Sequence, residues 1–487
     1  MAPLRDGCRE NESGGSGGRG CYAVALGVWV FLTVLCLAGI LGQVLVAGRE
    51  SLRRVAGTGP FSDIYVTMAC VGIVWGLAGA MLVLLWKGWI NRRNVLLVAG
   101  FFLVLLLYVN ILRERGPYGG DVWAYWRAAR QLSLGEHLEA DYFYPPFWAT
   151  LLQSVIPLGP HAVFATCWLL NIASLGVFYF LLRAVLRRYG FSETLSVIVV
   201  VLFLLVNVPV LRTLGYLQVN LHVMNLVLAG LLLYPRFRAA SAAALATAVH
   251  LKFSPLVLAC GFLLEKDRRW FLWFGLVLVL VLLVTVLVNG VSPYADFVGN
   301  VLGIWQSKPV TFRENSIDSW FRALEQFVGT SPAWTRGLVV VSKLLLVVVT
   351  GLIAYRCVRN RTFCDAPGPT ALLNAAPALL ILMMMASPLV WEHHPVFVSL
   401  AYLVLLKRLT GRVQWTVFGV AYMLEFVVPT FDFFPWSYGR LLSPLLWLFL
   451  AWRVSGRSGL SPWFERVNAW TVGAPEFAEQ DDMQGTP

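Results

Sequence analysis

Ser387-Pro388-Leu389-Val390-Trp391-Glu392-His393-His394 is the stretch best equipped for chemistry, because it sets two of the chain's six histidines side by side. Adjacent residues on a helix point about 100° apart, so the two rings seldom bind one metal ion. One ring can face a cavity and hold a phosphate or share a proton; two capping or interface histidines are the bland reading. His250-Leu251-Lys252-Phe253-Ser254-Pro255 places a lysine deep in an apolar run. A cation inside a membrane is expensive and functional by default, with a phosphate as its natural partner. Snorkelling to the inner headgroups is the bland use of the same side chain. Asp121 follows the flexible pair Gly119-Gly120 and opens a stretch whose positions 122, 125, 126, 129 and 132 are apolar at helical spacing. This pattern predicts an interfacial helix with its aromatics down and Arg127, Arg130 and Gln131 on the other face. Asp121 is then either a helix cap or a carboxylate at the lipid–water boundary.

Three further stretches carry weaker signals. Tyr142-Phe143-Tyr144-Pro145-Pro146-Phe147-Trp148 closes one element and admits the next, with aromatics suited to an interface belt. Gly215-Tyr216-Leu217-Gln218-Val219-Asn220, followed by His222 and Asn225, opens a helix with amides that either glue helices together or wall a sugar. Glu314-Asn315-Ser316-Ile317-Asp318-Ser319-Trp320-Phe321-Arg322 is rich in groups that bond hydroxyls, as a solvated loop also is. There is no H-E-x-x-H, no Walker loop and no G-x-S-x-G.

The elements that position these residues are read from composition. Of 487 residues, 58% are hydrophobic and only 13% charged, and the mean hydropathy is +0.71. A soluble domain carries about 25% charged residues. A soluble enzyme, a disordered chain and a single-anchor protein are therefore excluded. What fits is an all-α polytopic membrane protein of about 11–13 transmembrane helices. After a polar tail over 1–20, apolar runs lie near 21–46, 64–86, 94–112, 161–182, 192–211, 218–234, 239–264, 270–290, 335–355, 370–386, 394–406, 413–430 and 441–452. The first run is too long for a secretory signal. Lys252 to Pro255 interrupts the run 239–264 and predicts a re-entrant hairpin. The eight cysteines are scattered, with no C-x-x-C pair, and suggest neither a zinc site nor a disulfide framework.

The net charge of +12 comes mostly from short basic turns, which suit cytoplasmic loops beside anionic lipid rather than nucleic acid. Arg183, Arg187 and Arg188 form one turn; Arg236 and Arg238, then Lys266, Arg268 and Arg269, form two more. Arg356, Arg359 and Arg361, then Lys407, Arg408 and Arg412, then Arg453 and Arg457, complete the set. Placing them inside puts both termini in the cytoplasm and the connections 113–147, 291–334 and 387–394 outside. The loop 47–63, with Arg49, Arg53 and Arg54, disobeys this orientation. Acids, histidines and aromatics thus collect at the outer face.

In series these motifs resemble glycosyltransferase family 87, integral membrane enzymes of the GT-C class that use polyprenyl-phosphate sugars. Asp121, Tyr125, Ala128, Ala129, Gly135, Tyr144, Pro145 and Pro146 match its first pattern in order. Gln218 and Asn220 match its Gln-x-Asn; Leu251, Lys252 and Pro255 match its Leu-Lys-x-x-Pro. Ser387, Pro388, Trp391, His393 and His394 match its Ser-Pro-x-x-Trp-x-His-His. The match spans roughly 95–410. It departs where the family's Asn-Gln-Ser appears as Glu314-Asn315-Ser316, and where extra helices over 21–92 precede the part that matches. The resemblance implies a catalytic core over 93–410, further helices over 411–456 and a cytoplasmic tail over 457–487. It implies inverting transfer of a hexose, often mannose, from a polyprenyl-phosphate donor to an acceptor hydroxyl of an envelope glycolipid or glycan, without metal or cofactor. Asp121 would be the general base, with His393, His394 and Lys252 at the leaving phosphate. Tyr125, Tyr144, Gln218, Asn220, Asn315, Ser316 and Trp391 would contact substrate. A transporter or flippase of lipid-linked sugars, or a noncatalytic partner in an envelope complex, would share the polar residues.

Overall fold

The computed structural model describes residues 22–38, 41–42, 45, 75–76, 78–88, 120–205, 207–307, 314–329, 331–364, 370–428, 436–456 and 459–472. The loop 47–63, the run 94–112, the tail 1–20 and residues 473–487 lie outside them, whereas the expected tail over 457–487 holds a described helix over Pro462–Val472. Two compact units divide the chain, Met1–Leu107 and Tyr108–Pro487. In the first, helices α1 (Tyr22–Ala38) and α2 (Ala78–Lys87) are described. Trp29 stacks on Trp75 at 5.8 Å and donates to its carbonyl at 3.0 Å, while Trp75 donates to the Thr33 hydroxyl at 2.7 Å.

Among the described residues the second unit is entirely helical. Its elements are α3 (Gly120–Leu134), α4 (Phe147–Leu152), α5 (Pro160–Arg188), α6 (Glu193–Leu205), α7 (Val208–Gly215), α8 (Asn220–Leu233) and α9 (Arg238–Leu251). There follow α10 (Leu256–Leu263), α11 (Arg268–Asn289), α12 (Ser292–Ser307), α13 (Ile317–Val328), α14 (Pro332–Arg359) and α15 (Thr370–Met385). Last come α16 (Ser399–Leu405), α17 (Arg412–Tyr422), α18 (Gly439–Val454) and α19 (Pro462–Val472). Three described helices, α5, α11 and α14, are long and apolar enough to cross a membrane. A fourth span arises if α6 and α7, bent by 63° at their break, count as one.

The interruption expected near Lys252 is present. Helix α9 ends at Leu251, and Lys252 is extended, with φ −156° and ψ 127°. The cause is Pro255, whose ring would clash with the Leu251 carbonyl if the helix continued. The connection 291–334 is more ordered than a polar loop: it holds α12 and α13. Ser316 starts α13 by accepting the Ser319 N–H at 3.0 Å, and the left-handed Gly329 ends it. One turn apart on α12, Asp296 accepts from the Leu138 N–H at 3.0 Å and Asn300 donates to the Glu139 carbonyl at 2.8 Å. The segment following α3 is thereby tied down.

Helices α8, α9 and α11 are joined by Trp270, which donates to the Ser241 hydroxyl at 3.0 Å. Ser241 in turn donates to the Gly230 carbonyl at 2.7 Å, and the Trp270 ring stacks on Phe262 at 3.9 Å. His222 and Asn225 serve as helix glue: His222 contacts the Ser174 hydroxyl, and Asn225 donates to the Ser174 carbonyl at 2.8 Å.

The basic turns gather at one end of this unit. Lys407 is buried and donates to the Tyr189 carbonyl at 2.7 Å and the Phe363 carbonyl at 2.8 Å. Arg408 donates to the carbonyls of Thr362, of Arg361 at 3.3 Å and of Gly459 at 2.6 Å. Arg238 pairs with Asp267 at 2.5 Å, and Glu265 accepts the Leu372 N–H at 2.7 Å. Carbonyls at helix C-termini carry partial negative charge, so cations settle there. The first turn of α15 belongs to this end, and its last turn leads into Ser387–His394. The 16 residues of α15 therefore separate the two ends by about 24 Å.

Lys407→Met should remove the charged donor shared by two carbonyls and cost about 2–3 kcal/mol of stability. Thermal unfolding in detergent will show a lowered midpoint; an unchanged midpoint would mean that the carbonyls find other donors.

Candidate active site

The site lies at the end of the unit away from the basic turns. Helix α3 begins at Gly120, whose φ of +68° is left-handed and suits a residue without Cβ. A Cβ there would also come within 3.2 Å of the Tyr216 ring, so α3 starts close against the α7–α8 junction. Asp121 falls in its first turn. The helix ends in a Schellman motif: Glu136 N–H donates to the Gln131 carbonyl at 2.9 Å, and Gly135 takes φ +71°. Its buried face is Val122, Tyr125, Ala128, Ala129 and Leu132. Tyr125 thus packs into the protein, while Trp123 and Trp126 stack on each other at 4.5 Å.

Tyr125 and Tyr144 converge on one acceptor. Both hydroxyls donate to Gln218 Oε1, at 3.1 and 3.0 Å, and the two rings meet edge to face at 5.3 Å. The Gln218 side chain is fully buried, and its Nε2 has no partner among the described residues. Two residues on, Asn220 uses both ends of its amide. Its Nδ2 donates to the His393 carbonyl at 3.1 Å, and its Oδ1 accepts from Lys252 Nζ at 3.0 Å. Lys252 Nζ also lies 2.7 Å from His394 Nε2, and His394 Nδ1 accepts the Trp391 N–H at 2.9 Å. Asp121 is close enough for its charge to act on Tyr125, Tyr144 and Lys252.

The His pair is held by its own set of contacts. The rings of His393 and His394 stack at 4.7 Å, and Tyr216 meets His393 edge to face at 6.1 Å. His393 Nε2 is buried with no partner among the described residues. Asn315 joins the neighbourhood through its backbone N–H, which donates to the Val390 carbonyl at 2.6 Å. Ser316 is buried; besides starting α13, its hydroxyl donates to Glu314 at 2.9 Å. Burial pushes the Asp318 carboxyl above the usual carboxylate range, against the pull of Lys343, with which it pairs.

Asp121, Tyr125, Tyr144, Gln218, Asn220, Lys252, His393 and His394 thus form one cluster. Asn315, Ser316 and Trp391 adjoin it by backbone contacts or by a helix cap. Sequence reasoning passed over Arg212, Glu392 and Arg440. Glu392 accepts from Arg212 Nε at 2.8 Å and pairs with Arg440 at 3.5 Å, all three being buried. The available signal was an arginine just past an apolar run and an acid between tryptophan and histidine. Among the described residues no group of three or more His, Cys, Asp or Glu could hold a metal ion. The cluster offers a carboxylate able to take a proton, beside an amine and imidazoles able to hold a phosphate.

Among the described residues the chain is all-helical, with helices of membrane length and a polar cluster at one end, which places it among membrane proteins. The model of glycosyltransferase family 87 matches residues 142–388, and the chain belongs to this family. It is therefore a membrane glycosyltransferase. No curated protein and no solved structure matches the chain.

Glu392→Ala should leave Arg212 and Arg440 facing each other without their shared carboxylate. Breaking a buried ion pair costs about 3–5 kcal/mol, so the unfolding midpoint in detergent should fall steeply. A midpoint within error of wild type would show that the arginines have sufficient other partners.

Proposed function

We propose that the chain transfers a hexose, mannose in the first instance, from a polyprenyl-phosphate donor to a hydroxyl of an envelope glycolipid or glycan. The reading puts the site at the outer face of the cell membrane, both termini in the cytoplasm, and about 11–13 crossings in a GT-C-type bundle. Helix α3 lies at the interface, and α9 and α10 form the re-entrant hairpin that carries Lys252. One observation carries it: Lys252 Nζ lies 2.7 Å from His394 Nε2, and the charge of Asp121 reaches the same amine. Nucleophile activation and leaving-group support thus meet in one place.

In this mechanism Asp121 takes the proton of the acceptor hydroxyl as that oxygen attacks the anomeric carbon. The bond from that carbon to the phosphate oxygen breaks, and the configuration inverts. Lys252, His394 and His393 hold the departing phosphate, where negative charge grows. Tyr125, Tyr144 and Gln218 line the sugar side, with the unpartnered Gln218 Nε2 available to a sugar hydroxyl. Asn220, whose amide is engaged at both ends, sets Lys252 and the His393 backbone rather than touching sugar.

The decisive experiment offers purified protein radiolabelled polyprenyl-phosphate mannose with a panel of envelope lipids. Transfer from the lipid-linked donor and none from GDP-mannose is expected; efficient use of GDP-mannose refutes the donor assignment.

Asp121→Asn keeps the shape of the side chain but removes the basic oxygen. It should fold and lose about 10²–10⁴ in turnover while still binding donor. Near-native turnover in a folded variant would leave Asp121 as a first-turn acid without a catalytic part and make Glu314 or Asp318 the next candidate base.

Orientation is checked by labelling single-cysteine variants. A cysteine replacing the exposed His137 should react with an impermeant reagent in intact cells, and one replacing Arg187 only after permeabilisation. The opposite pattern would invert the topology.

A further inference from the structure

Three contacts fix where the protons sit around Lys252. The Trp391 backbone N–H can only donate, and it donates to His394 Nδ1 at 2.9 Å. Nδ1 therefore carries a lone pair, and the neutral ring keeps its proton on Nε2. That Nε2 lies 2.7 Å from Lys252 Nζ. An ammonium has three donors and no lone pair, so it cannot accept the Nε2–H. A neutral amine can, while still donating to Asn220 Oδ1 at 3.0 Å. The remaining assignment, an imidazolate accepting at both nitrogens, requires a proton loss far outside the neutral range.

The surroundings bear on the same proton. Desolvation of the Lys252 amine favours its neutral form, and the charge of Asp121 from α3, the lesser influence, favours the charged one. Lys252 acts on both His393 and His394, and Arg212 and Arg440 act on His393. The rings of Tyr144 and Phe397 flank the amine at 5.8 and 5.2 Å. On α9, His250 faces away, toward the Leu278 carbonyl at 2.9 Å.

We propose that Lys252 is a neutral amine before the donor binds, and that the donor phosphate is captured together with a proton from solvent. The proposal rests on the reading of this pocket as the donor-phosphate site. Lys252 Nζ takes up the proton and becomes an ammonium. Its contact with His394 opens, and the ammonium and the freed Nε2–H both donate to non-bridging phosphate oxygens. His394 keeps its tautomer because Trp391 still occupies Nδ1. Affinity for the diester donor, whose own charge is constant, is then full at low pH, where the free protein already carries the ammonium. It falls by up to about tenfold per pH unit as the free protein loses that proton.

The test is calorimetry on the detergent-solubilised full chain with farnesyl-phosphate mannose and no acceptor, in two buffers of different ionisation enthalpy. At about pH 8 the wild type should take up close to one proton per donor bound, and less at about pH 5.5. Lys252→Arg, whose guanidinium stays charged, and Lys252→Met, which has no amine, should both lose the uptake. Wild-type binding without uptake, or uptake that persists in Lys252→Met, overturns the proposal and leaves the donor site standing. Failure of folded wild type to bind the diester at any pH overturns the donor-site reading itself, and the proposal with it.

Discussion

Backbone that leaves the helical ladder in apolar surroundings has to find its hydrogen-bond partners within the protein, and the polar residues of this chain are placed by that constraint. The Ser387–His394 junction is the main example. Its carbonyl at His393 is met by Asn220 at 3.1 Å and by the Thr213 hydroxyl at 3.4 Å, and its N–H at Trp391 is met by the His394 ring. The carbonyl of Val390 receives the N–H of Asn315. Satisfying the junction thus sets the direction of the His394 imidazole. The break after Leu251 is handled by the same residue, because the other end of the Asn220 amide receives Lys252.

The two ends of the unit treat buried positive charge differently. At the basic end the buried Lys407 and Arg408 lie against backbone carbonyls, while carboxylates there pair with the more exposed Arg187 and Arg238. At the other end a carboxylate enters: Glu392 stands between Arg212 and Arg440, and Asp121 stands near Lys252. Dipoles fix a cation without cancelling it, which suits a stationary anchor. Carboxylates allow charge to be redistributed when a ligand arrives, which suits a site.

Much of this was legible in the sequence, for local reasons. Pro255 ends α9 whatever surrounds it, and two glycines before Asp121 free the start of α3. The long runs 161–182, 270–290 and 335–355 became α5, α11 and α14 because uninterrupted apolar residues leave few alternatives in lipid. What escaped notice is amphipathic or distant. Helix α13 has the composition of a polar loop, although Ile317, Trp320, Phe321 and Leu324 recur at helical spacing behind the Ser316 cap. A scale that averages hydropathy cancels such a helix. The bridge from Glu392 to Arg212 and Arg440 joins residues with no local sequence relation, and nothing near any of them names its partner. An amide looks the same in sequence whether its ends face ligand or backbone, and both ends of Asn220 have partners within the fold.

The contacts that build the cluster are long in another dimension. Asn220 and His393 are 173 residues apart, Lys252 and His394 142, and Arg212 and Glu392 180. Each closes a loop that holds several complete helices, so none can form before the intervening chain is inserted and packed. The site is therefore among the last features to appear as the protein folds. Its geometry reports on the whole assembly: a fragment that stops short of Ser387 can bring Tyr125, Tyr144, Gln218, Asn220 and Lys252 together and still lack both imidazoles.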